Sequence, residues 1–67
     1  MALRTKLLEC LERKPSDFFA LQKILDIRSD RLANELDNLL KAGYITKSNT
    51  VFHLTDRGSE YLKVERA

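Results

Sequence analysis

The hydrophobic period of this chain changes from 3.6 residues to 2 at a single glycine, and that change constrains the fold more than any other feature. Before Gly43, Leu32, Leu36, Leu39 and Leu40 recur at helical spacing, with Ala33 at the edge of the stripe. After it, Tyr44 to Lys47 and Val51 to Leu54 are rich in β-branched and aromatic residues and flank Ser48-Asn49-Thr50. The pattern predicts a helix over 29–42 with Ser29 as N-cap, Asp30 in the first turn and Gly43 as a left-handed C-cap. A hairpin over 45–54 follows directly, with a three-residue loop in which Asn49 takes a positive φ.

The flanking segments add three more helical elements' worth of signal, short as they are. In Ala2 to Arg13, the residues Leu3, Leu7, Cys10 and Leu11 fall within about 100° of one another, with Lys6, Glu9, Glu12 and Arg13 opposite. Pro15 disfavours helix at Lys14 and ends it. Ser16 or Asp17 then caps a short second helix to about Leu25, expected to bury Phe18, Leu21, Ile24 and Leu25. An extended stub near Asp17-Phe18 is placed to add a third strand beside the hairpin. Thr55 caps a last helix through about Glu65, with Tyr61, Leu62 and Val64 as its apolar contacts. The expected architecture is mostly α with a small β-hairpin, in the order α-α-α-β-β-α, as a single domain over 1–67.

Composition removes several classes of function. The 67 residues are 43% hydrophobic and 33% charged with two Gly and one Pro, a balance that folds rather than stays disordered. No apolar run approaches the roughly 18–20 residues needed to span a bilayer, and no secretory leader is legible, so a cytoplasmic protein without a membrane role is expected. Cys10 alone forms no internal disulfide, and Cys10 with His53 does not complete a zinc site; no metal or cofactor is expected. A Gly-rich phosphate loop, a Ser/His/Asp set and a confined carboxylate pair are all missing from the sequence, so an enzyme is not expected. A net charge of +2 permits nucleic-acid binding without demanding it.

Two motifs around the hairpin carry a resemblance. Ile27-x4-Leu32-x3-Leu36-x2-Leu39-x2-Ala42-Gly43-Tyr44-Ile45 is similar to the recognition helix and its exit in MarR-, ArsR- and PadR-type bacterial and archaeal regulators. Leu54-Thr55-Asp56-Arg57-Gly58-x2-Tyr61-Leu62 resembles the L-T-x-x-G-x-x-x-L segment that follows the wing in the same proteins. The match runs from about Phe18 to Leu62. It implies a winged helix-turn-helix that binds duplex DNA as a small transcriptional regulator, as a homodimer, with helix 29–42 in the major groove and wing 45–54 on the flank.

The residues permit that reading on their own chemistry. With the leucine stripe turned to the core, Arg31, Asn34 and Asn38 fall on one outward strip, and these types suit guanine and adenine edges. Arg28, Ser29 and Lys41 are candidates for the DNA backbone. Lys47, Ser48, Asn49 and Thr50 form the wing set, with Arg57 behind them. Against this, Arg28, Arg31 and Lys41 are balanced by Asp30, Glu35 and Asp37, so the helix reads as neutral.

Two positions depart from the family pattern. Asp26 stands in the turn where those regulators carry Gly, and Phe19 stands on the polar side of the second helix. An exposed Phe marks an interface in a chain this small. The alternative function is therefore a protein-interaction or dimerisation winged helix without direct DNA binding, with Phe19, Tyr61 and Leu62 as the partner surface.

Overall fold

Local punctuation sets the elements in the computed structural model, which describes residues 2–67. Helix α1 (Leu3–Arg13) ends at Lys14, whose extended backbone (φ −161°, ψ 128°) is what a following proline favours. The two-residue strand β1 (Ser16–Asp17) leads into α2 (Phe18–Leu25), and the Asp17 carboxylate caps that helix by accepting from Ala20 N at 2.8 Å. Asp26 ends α2 in the left-handed region at φ 52°, a conformation Asp tolerates better than most residues.

Helix α3 (Ser29–Ala42) closes in a Schellman motif. Gly43 takes φ 82°; its N–H donates to Leu40 O at 3.1 Å, and Tyr44 N donates to Leu39 O at 3.0 Å. Strands β2 (Ile45–Ser48) and β3 (Val51–Leu54) pair antiparallel, and β1 pairs antiparallel with the far side of β3, so the sheet order is β1-β3-β2. Helix α4 (Asp56–Arg66) starts at Thr55, whose hydroxyl accepts from Gly58 N at 3.1 Å. The result is four helices with a small three-stranded antiparallel sheet.

One contiguous core joins all the larger elements. It comprises Leu7, Leu8 and Leu11 of α1, Leu21 of α2, Leu32, Leu36 and Leu39 of α3, Ile45, Phe52 and Leu62. No helix among the described residues is long and apolar enough to cross a membrane.

Several local expectations shift against this frame. The N-cap of α3 is Arg28, with no side-chain cap bond, and Ser29 is the first helical residue. The hairpin loop has two residues, Asn49 and Thr50, because Ser48 pairs with Val51; Asn49 does take positive φ, at 57°. Leu8 is fully buried although it lies off the expected α1 stripe, since α1 packs against α2, β3 and α4 and so buries a wide arc. Ile24 is 61% exposed and Val64 75% exposed, where burial or an apolar contact was expected. Their helices have one fully buried anchor each, Leu21 and Leu62, and nothing among the described residues covers the opposite sides.

Candidate nucleic-acid interface

The outward strip of α3 forms as its helical spacing demands. Leu32, Leu36 and Leu39 point inward, and Arg31, Asn34 and Asn38 are exposed three or four residues apart on the opposite side. None of these three side chains forms a hydrogen bond or ion pair among the described residues. They line a broad open groove of about 570 Å³, whose other walls are Ala2, Leu3 and Arg4 at the start of α1, Glu35, and Tyr61 of α4.

The charge balance of this face differs from the reading of α3 alone. Glu35 is not a free acid: Arg4 Nη2 reaches its Oε2 at 3.2 Å from α1, and the Glu35 side chain is only 16% exposed. Its hydrogen bond to Glu35 and their mutual attraction hold the Arg4 guanidinium charged, with its pKa raised despite burial. Asp30 pairs with Arg28 at 3.3 Å and Asp37 with Lys41 at 3.0 Å. Both of these pairs are exposed, and such pairs are worth about 0–1 kcal/mol, little enough to be exchanged for a phosphate. With every acid of the face matched, Arg31 is left as its uncompensated cation among the described residues.

The hairpin is anchored in the core by Ile45 and Phe52, and its tip stands clear. Only Ile45 of β2 is buried, and Thr46 through Thr50 are exposed. Lys47 Nζ lies 5.5 Å from the centroid of the Phe52 ring, its partner in the ladder, which holds the ammonium near the hairpin. Ser48, Asn49 and Thr50 form the exposed tip. Arg57 belongs to α4 and does not stand with the tip: its guanidinium carbon is 5.6 Å from the Tyr44 ring centroid. Backbone geometry gives Ser29 no capping role, so its exposed hydroxyl is simply available at the first turn of α3.

The expected partner surface divides. Phe19 is 79% exposed. Tyr61 is half-buried, stacks on Tyr44 at 4.9 Å between centroids, and donates its hydroxyl proton to Glu65 at 2.9 Å. That bond raises the Tyr61 pKa. Leu62 is fully buried in the core and belongs to no surface, because α4 rests its inner face on the body through that side chain. Cys10 is half-buried, and burial pushes its thiol up, away from the reactive thiolate.

The second motif proves to be a structural knot. Thr55 Oγ1 donates to Gly43 O at 2.7 Å while accepting from Gly58 N, and Thr55 N donates to Tyr44 O at 3.1 Å. A Cβ at Gly58 would collide with that same Tyr44 carbonyl and come within 2.7 Å of Leu54 Cδ1. Leucine, threonine and glycine at this spacing are thus needed to dock α4 onto the exit of α3. Arg4, in the first turn of α1, lines the α3 groove and pairs with Glu35, and sequence reasoning missed it. No protein-family model, curated protein or solved structure matches the chain.

Proposed function

We propose that the protein is a winged-helix domain that binds duplex DNA, with α3 entering the major groove and the β2–β3 hairpin lying on the flank. The observation that carries this reading is the strip of Arg31, Asn34 and Asn38: three side chains of two base-reading types, exposed, on one helix face, with no competing partner among the described residues. The sheet order β1-β3-β2, with an exposed hairpin beside α3, supports the winged-helix part. Arg28, Lys41, Lys47 and the hydroxyl of Ser29 would meet phosphates, while Ser48, Asn49 and Thr50 would follow the neighbouring groove. Arg4 supports the reading indirectly, by cancelling the acid of Glu35 that would otherwise repel the backbone.

A salt titration of binding to mixed-sequence duplex DNA, followed by fluorescence anisotropy, tests the proposal. The three cationic phosphate contacts per protomer (Arg28, Lys41 and Lys47) predict a log–log slope of about −2.7. Arg31→Ala is then expected to cost about 1–3 kcal/mol on a selected duplex and to relax preference at one base. No binding at low salt, or unchanged binding in Arg31→Ala, would sink it. Phe19 favours a second reading, a protein-interaction module, because a phenylalanine exposed to this degree buries little in the isolated domain.

A further inference from the structure

All three phenylalanines of the chain meet in one cleft, between the first turn of α2 and the hairpin. Phe52 is buried at its floor and Phe18 is half-buried. Phe19 stands edge-on to Phe18, with centroids 6.1 Å apart and planes at 86°, and projects into solvent. Asp17, Lys47 and Thr50 complete the walls around about 510 Å³. A dry cavity of about 150 Å³ is enough to take a benzene ring, so there is room here for a further phenyl group and its neighbours.

The polar walls limit what that occupant is. Lys47 has no ion-pair partner among the described residues, and its ammonium stays over the Phe52 ring. Asp17 accepts from Ala20 N through Oδ1 and likewise meets no cation. An acidic peptide would answer Lys47 and be repelled by Asp17; a basic one would do the reverse. A second copy of the chain offers both charges and an exposed aromatic ring together.

We propose that this cleft is self-complementary: two chains dock about a two-fold axis, each Phe19 entering the other's cleft and each Lys47 facing the other's Asp17. The contact is small. A standard interface takes about 800 Å² from each partner, roughly one-sixth of the 4561 Å² exposed here, and one cleft with its rim falls below that. A weak, reversible dimer is the expected form of so small a contact. The cleft shares no lining residue with the α3 groove, so the pairing leaves the outward strip open. It does engage Lys47 and Thr50 of the wing, so pairing and the wing's contact with DNA compete, and the pairing is tested without DNA.

Sedimentation velocity of the full chain without DNA, from micromolar to millimolar concentration, tests it. The wild type should pass from monomer to dimer over that range. Phe19→Ser should weaken association by about tenfold or more without lowering the melting temperature, since the side chain is exposed. Asp17→Asn, which keeps an oxygen for the α2 cap, and Lys47→Glu should each weaken it as well. A chain that stays monomeric throughout, or a dimer indifferent to Phe19→Ser, would overturn the proposal.

Discussion

The exit of α3 and its outer face lie on the same helix and behave in opposite ways. At its exit, Gly43, Tyr44, Thr55 and Gly58 are tied together: one hydroxyl serves two backbone groups, and two backbones touch where a single Cβ would separate them. Along its outer face, Arg31, Asn34 and Asn38 touch no partner among the described residues. Both regions are polar, but only the exit is built from motif residues; Arg31, Asn34 and Asn38 stand at the open positions between the leucines. The polar groups at the exit are consumed by the architecture, whereas those on the face are free to bind something else. A polar residue whose hydrogen bonds are spent internally is therefore part of the architecture, whereas one that spends none is only available for binding.

The sharpest way to break this contrast is Gly58→Ala. The Tyr44 carbonyl it would strike is held by Thr55 N, so α4 must move as a unit, and a loss of about 3 kcal/mol is expected in chemical denaturation. Stability equal to the wild type would show that the junction is not rigid. Thr55→Ala comes next, at about 1–2 kcal/mol, because it removes the α4 cap and the donor to Gly43 O together. Thr55→Ser should recover most of that loss by retaining the hydroxyl, and a Ser variant as weak as Ala would point to the methyl group instead. The smallest effect belongs to the outer face: Asn34→Ala and Asn38→Ala should each change stability by no more than about 0.5 kcal/mol. A larger loss in thermal melts would move those amides into the architecture and erase the contrast.

Much of the fold was legible because its signals are local. The leucine spacing of α3, the glycine at its end, the threonine cap of α4, the extended stub at β1 and the positive φ of Asn49 each depend on neighbours within a few residues. The errors were local too, where two adjacent residues suited the same role. Ser29 is the better capping residue by type, yet the chain places Arg28 at that position; Ser48 suits a loop, yet it continues the ladder opposite Val51. Of the candidate site, the exposure of Arg31, Asn34 and Asn38 followed from periodicity, while the burial of Leu62 contradicted its assignment to a partner surface.

By itself the sequence determined the order and kind of the elements, the inward face of α3 and the polar strip opposite it. Caps, turn conformations and hydrophobic period act over one or two helical turns, so they are written where they act. Only the tertiary structure decided what distant segments do to one another. It brought Arg4 against Glu35 across 31 residues, turned Leu8 and Leu62 fully inward while leaving Ile24 and Val64 in solvent, and gathered Phe18, Phe19 and Phe52 into one cleft. These outcomes depend on which helix faces meet, and close packing of several elements at once settles that; no spacing along a single element encodes it.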